Sequence, residues 1–131
     1  MSEPHSFPVT VYYEDTDMAG IVYYANYLRY IERARSTIVE ELGLDQRAMR
    51  EMDIVFVVTR VEADYVSSAR LGDRLTVQTR HYAKGPVRWI FEQEVLRGDT
   101  LIFKALVTAA TMSTGGKPMR LPAELRSRLG G

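Results

Sequence analysis

The sequence predicts an α+β domain in which an antiparallel sheet of about five strands wraps one long central helix. Three observations carry that expectation. Residues 26–42 hold a run of apolar side chains at helical spacing. Strand-like alternation occupies one segment before this run and several after it. Turn-forming clusters, Gly72-Asp73, Lys84-Gly85-Pro86 and Arg97-Gly98-Asp99, then punctuate the later part at hairpin spacing. With 131 residues and 46% hydrophobic residues there is material for a single core. One domain over residues 1–131 is expected, with 1–6 and 113–131 peripheral.

Each element has its own local reason. Phe7, Val9, Val11 and Tyr13 alternate with Pro8, Thr10 and Tyr12, which predicts a first strand over Phe7–Tyr13. Pro8 suits a strand end or an edge because it has no N–H to give to a ladder. In the helix, Asn26 to Leu42, residues Tyr27, Ile31, Ala34, Ile38 and Leu42 form the apolar stripe, while Arg29, Arg33, Ser36 and Glu40 lie largely on another side. Gly43 is a natural stop, and Asp45 caps a short helix to Met52. A long strand, Val55 to Ser67, places Val57, Thr59, Val61, Ala63 and Tyr65 on one face and Arg60, Glu62 and Asp64 on the other. Arg74–Tyr82, Val87–Leu96 and Leu101–Met112 complete a meander. A Gly-rich tail, Ser113–Lys117, precedes a short helix over Pro122–Leu129. His5 falls in the lead-in. Such a sheet has free edges and a second face, which pairing with other copies covers, so a homodimer or homotetramer is expected.

Composition narrows the function. Seventeen basic and seventeen acidic residues give a formal charge of zero, which argues against bulk electrostatic binding of nucleic acid. The absence of cysteine rules out disulfides, thiolate catalysis and Cys-ligated metal, and fits a cytoplasmic protein. Two histidines, His5 and His81, do not suggest a multi-histidine metal site, so no metal is expected. Met1–Pro8 has neither a basic nor an apolar signal region. No apolar run approaches the ~20 residues of a membrane span.

The chemistry concentrates in one segment, Val11-Tyr12-Tyr13-Glu14-Asp15-Thr16-Asp17-Met18-Ala19-Gly20-Ile21-Val22-Tyr23-Tyr24-Ala25-Asn26-Tyr27. Two carboxylates and a glycine lie between a strand and a helix. An anionic side chain beside a helix N-terminus sets a nucleophile or base near free backbone N–H donors, which can stabilise an oxyanion. This run, together with Glu32-Arg33-Ala34-Arg35, Asp64-Tyr65 and Arg70-Leu71-Gly72-Asp73, resembles the hotdog-fold acyl-CoA thioesterases. The closest resemblance is to the YbgC/FadM-type branch of the 4-hydroxybenzoyl-CoA thioesterase family, and it covers nearly the whole domain.

The resemblance implies hydrolysis of an acyl-CoA, with acyl carrier protein as a second possible acyl carrier, at active sites on a dimer interface. CoA is then part of the substrate, and no cofactor is implied. The family's catalytic carboxylate matches Asp17, and its carbonyl-polarising backbone donors match the helix entrance around Tyr24, with Gly20 letting the backbone approach the substrate. Many relatives carry histidine where this chain has Tyr24. A backbone role survives that change and a histidine side-chain role does not. Thioester hydrolysis needs an oxygen nucleophile, an oxyanion site and departure of a thiolate, so one carboxylate and oriented amides suffice. Asp17 could attack directly or act as a base on water.

Each residue also has a plainer reading. Asp17 could cap a turn, Asp15 more simply shapes the loop, and Gly20 serves a positive φ. Tyr23, Tyr24, Tyr27 and Tyr30 read as packing, although Tyr27 is a candidate substrate contact. Lys84 and Arg88 flank a turn and are candidates for CoA phosphates, a solvated hairpin being the alternative. Glu32, Arg33 and Arg35 read as ion pairs, and His81 as a packed or surface histidine. Three competing functions fit the sequence less well. A Mg²⁺-dependent phosphotransfer enzyme wants a larger scaffold. A hydratase wants a histidine near the aspartate. A non-catalytic module binding acyl-CoA or acyl carrier protein would use the fold without turnover.

Overall fold

A computed structural model describes residues 3–129. Residues 1, 2, 130 and 131, the extremes of the expected lead-in and tail, lie outside the described residues. In chain order the elements are β1 (His5–Thr10), a single 3-10 turn (Tyr13–Asp15), α1 (Asn26–Glu41), α2 (Gln46–Glu51), β2 (Val55–Tyr65), β3 (Arg74–Lys84), β4 (Arg88–Arg97), β5 (Thr100–Met112) and α3 (Ala123–Arg128). The strands form one sheet in the order β1-β3-β4-β5-β2, and every neighbouring pair is antiparallel. This is the expected five-stranded sheet around one long helix.

The periodicity of α1 explains its seat. Tyr27, Ile31, Ala34 and Ile38 are buried, as expected, and Tyr30 joins them. The helix lies mainly over β1, β3 and β4. It meets Val77, Trp89, Phe91 and Val95 in one core. Leu42 ends it, and Gly43 follows with a φ of 76°, a left-handed conformation that costs an L residue about 1–2 kcal/mol. Asp45 caps α2 by accepting N–H bonds from Arg47 and Ala48, each at 3.0 Å.

Tertiary structure changes four sequence expectations. First, β1 stops at Thr10. The Val11 N–H leaves the ladder for the Asp73 carbonyl, at 2.9 Å, and the chain then coils into the 3-10 turn. Second, β2 carries a bulge between Val58 and Arg60, with Thr59 as the extra residue. Val58 pairs with Ala109 and Val57 with Ala110, so Val58 rather than Val57 shares a face with Val61, Ala63 and Tyr65. Third, the C-terminal stretch is not all peripheral. Leu121 and Leu125 are buried in the main core, and the Leu121 N–H bonds the Pro86 carbonyl at 2.7 Å. Fourth, His5 begins a strand, with its Nε2 3.1 Å from Glu41 Oε1 near the end of α1.

His81 is packed, its Nδ1 accepting a 3.2 Å bond from the Trp89 indole N–H. Indole only donates, so Nδ1 has to stay unprotonated. Burial, with His5 nearby adding repulsion, lowers the His81 pKa from 6.5. The unfolded chain therefore binds the proton more readily. Stability from this group is complete above about pH 6.5 and is lost as pH falls through the lowered value. Urea unfolding of wild type and His81→Asn, whose amide oxygen can still accept, should show a shallower loss of stability between pH 7 and 5 in the variant.

Candidate active site

The segment Asp17–Gly20 is a tight turn clasped between Thr16 and Val22, which form an antiparallel bridge. The Asp17 N–H donates to the Ile21 carbonyl at 3.0 Å, and the Gly20 N–H donates to the Asp17 carbonyl at 3.0 Å. Gly20 has a φ of 79° with open space around a hypothetical Cβ, so glycine is required for backbone conformation and not for clearance. The turn is tied to the body where the Val22 N–H bonds the Ala69 carbonyl and Ile21 bridges to Arg70.

The two aspartates have opposite surroundings. Asp15 is 8% exposed. Its Oδ2 accepts the Tyr12 N–H at 2.9 Å. Its carbonyl accepts the Tyr23 N–H at 2.9 Å and the Asn26 Nδ2 at 2.9 Å. The Tyr30 hydroxyl is buried beside Asp15, and burial, reinforced by the Asp15 carboxylate, pushes its pKa well above 10. Asp15 thus fastens loop to helix. Asp17 is exposed, and its Oδ1 accepts the Ala19 N–H at 2.9 Å. Of the two, only Asp17 presents a carboxylate to solvent.

The entrance to α1 carries backbone N–H donors. Its N-cap position is Ala25, so no side chain caps the helix. Among the described residues the N–H groups of Tyr24 and Ala25 have no acceptor. Gly20 differs, because its N–H is spent inside the turn. The Tyr24 side chain is 60% exposed, its ring centroid 4.9 Å from that of Tyr23 and 6.0 Å from that of Tyr65.

The other sequence candidates lie elsewhere. Tyr27 is buried, stacked on Phe103 at 5.2 Å, and its hydroxyl accepts the Ala69 N–H at 3.1 Å. That contact braces the segment that holds the Asp17 turn. Lys84 and Arg88 pair across the β3–β4 hairpin, at the end of β3 away from the turn. Eleven residues of strand separate them from Arg74 by ~30 Å, so one chain alone does not bring them to Asp17. Sequence reading assigned no role to Asn26 or Gln93. Asn26 is a polar residue opening an otherwise apolar stripe, and Gln93 is a polar residue in the inward alternation of Trp89, Phe91 and Val95. Both interruptions were the available signals.

Hollows open on both faces of the sheet. A cleft of about 280 Å³ lies between α1 and β2, lined in part by Glu32, Arg35, Phe56, Val58 and Trp89. The larger one, about 880 Å³, lies among Glu62, Asp64, Arg80, Glu92 and Lys104 and shares no residue with the Asp17 turn.

Residues 11–129 match the model of the thioesterase-like superfamily. The chain belongs to that superfamily. Within it, the chain is 39% identical over 124 residues to the acyl-CoA thioesterase YbgC of Haemophilus influenzae, covering 93% of this chain and 91% of that one. It is 34% identical over 121 residues to the acyl-CoA thioester hydrolase YbgC of Escherichia coli, covering 91% and 90%. A probable thioesterase from Bartonella henselae superposes with a TM-score of 0.84 at 34% identity, over 91% of this chain and 99% of that one. A 1,4-dihydroxy-2-naphthoyl-CoA thioesterase from Synechocystis shares the fold, with a TM-score of 0.89 at 21% identity over 97% and 96%. The architecture is therefore the hotdog fold, and this member of the superfamily is a thioester hydrolase.

The unequal aspartates give a direct expectation. Asp15→Asn keeps an oxygen for the Tyr12 N–H and should retain fold and activity. Asp15→Ala leaves that part-buried N–H unpaired and should cost about 1–3 kcal/mol in urea unfolding.

Proposed function

We propose that the protein hydrolyses acyl-CoA thioesters, with Asp17 as nucleophile or base and the Tyr24 and Ala25 N–H groups as oxyanion donors. One observation supports the reading above others: an exposed carboxylate and an uncapped helix entrance with free N–H groups are held by the same short segment. In the direct route, an Asp17 oxygen attacks the thioester carbonyl and the C–S bond breaks to release CoA thiolate. Water then cleaves the mixed anhydride. In the other route, Asp17 takes a proton from water, and that water attacks. Both routes build negative charge on the carbonyl oxygen, where one well-placed donor is worth ~10²–10³ in rate. Thiolate departs readily, so the site needs no strong general acid.

The acyl-CoA thioesterase activity of the YbgC relatives supports acyl-CoA as substrate, and acyl carrier protein is the second carrier to assay. The cytoplasm is the compartment that suits a CoA-dependent enzyme without cysteine. Lys84 and Arg88 reach the reaction only if a second copy brings its hairpin to this turn. Assayed by free-thiol release on a panel of aliphatic and aromatic acyl-CoAs, Asp17→Asn should stay folded and lose several orders of magnitude in kcat. Near-wild-type turnover would sink the assignment. Recovery of ¹⁸O from solvent in the Asp17 carboxylate would establish the anhydride route.

We also propose a homodimer through β2. That strand is an eleven-residue free edge of the sheet, with Val58, Val61 and Tyr65 exposed. Long apolar edges of this kind are covered in stable proteins. Sedimentation should report a dimer for wild type and a shift toward monomer for Val61→Asp. A wild-type monomer at micromolar concentration would refute it.

A further inference from the structure

We propose that Gln93 is a positioning residue: it fixes where α1 lies along the sheet, and so where the Tyr24 and Ala25 N–H groups stand. The inference rests on the reading of those groups as oxyanion donors. Gln93 lies on β4, the middle strand of the sheet, and is 1% exposed. Both ends of its amide are engaged. Nε2 donates to the Ile31 carbonyl at 3.0 Å and to Thr79 Oγ1 at 3.0 Å. Oε1 accepts from Arg35 Nη1 at 3.0 Å.

Ile31 and Arg35 are one helical turn apart, so a single amide grips α1 at two successive levels. The Ile31 carbonyl also faces the Arg35 N–H in the helix ladder, and Gln93 uses its second lone pair. Thr79, on the neighbouring strand β3, sets the orientation of the amide. The Arg35 guanidinium lies 5.9 Å from the Phe91 ring centroid, which steadies its end of the clamp.

Apolar contacts resist separation of helix and sheet, but they reward burial without direction. Hydrogen bonds of fixed geometry select one axial setting. Tyr24 is seven residues before Ile31, ~10 Å along the helix axis. A slide at Ile31 therefore carries the helix entrance with it. Oxyanion donors work within 2.7–3.1 Å, and a displacement of about 1 Å can cost 10²-fold. A leucine would fill the same space without these bonds, so the buried amide supplies direction and not volume.

The double variant Gln93→Met/Arg35→Met replaces both partners by apolar chains and avoids an unpaired buried donor at either position. The expected result is kcat lowered about 10- to 100-fold with KM changed less than about threefold. The thermal midpoint should be near wild type, and the Tyr24 and Ala25 amide signals should shift in ¹H–¹⁵N spectra. Thr79→Val, close in shape but lacking the acceptor, should lower kcat in the same sense, and Thr79→Ser should restore it. Wild-type kcat in a folded double variant overturns the proposal, as does a loss of kcat that Thr79→Ser fails to restore. If the double variant does not fold, the Thr79 pair decides. The amide shifts read the placement of α1 without reference to turnover. Failure of the Asp17 reading, seen as an active Asp17→Asn, is thus separable from failure of the clamp.

Discussion

One helix has to cover a five-stranded sheet, and it is too narrow to do so. A helix with its side chains is about 10–12 Å across, while five strands at ~4.8 Å span roughly 20 Å. Here α1 settles over β1, β3 and β4 and reaches β5 through Tyr27 on Phe103. The helix-facing side of β2 is left with Val58, Val61 and Tyr65 exposed. The cleft between α1 and β2 and the free edge both follow from that mismatch. The same uncovered strip borders Tyr24, whose ring centroid lies 6.0 Å from that of Tyr65.

The loop before α1 divides labour between two neighbouring carboxylates. Asp15 is consumed by structure: its carboxylate and carbonyl hold Tyr12, Tyr23 and Asn26. That expenditure keeps Asp17 on a rigid turn while its carboxylate faces outward. A second brace acts from below, where the Tyr27 hydroxyl holds the Ala69 N–H and Ala69 in turn receives Val22. Asp73, bonded by the Arg70 N–H and by Arg97 Nη1 at 3.0 Å, closes the same corner. The Arg70 N–H, then Arg97, lowers the Asp73 pKa, so this corner stays tied at neutral pH.

Much of the architecture was legible because it depends on local rules. Helical spacing from Tyr27 to Ile38, the Asp45 cap and the glycine-bearing turns act within a few residues of themselves. The bulge at Thr59 was not legible, because an extra residue shows only against the partner strand β5. The docking of Leu121 and Leu125 was hidden for a similar reason, since a short apolar pattern does not reveal which distant surface receives it. In the site, the motif singled out Asp17, Gly20 and Tyr24. It did not show that the Gly20 N–H is spent within its turn while the Tyr24 N–H has no acceptor among the described residues.

By itself, the sequence determined the element types, their order and the carboxylate–glycine–helix segment, because period, caps and turn residues write those locally. It also carried the family resemblance. Only the tertiary structure decided which aspartate is exposed, which strand is left uncovered and how Gln93 comes to hold two levels of α1. Those are outcomes of which distant groups share a limited interior. Burial and hydrogen-bond satisfaction are settled only when every strand and the helix are in place.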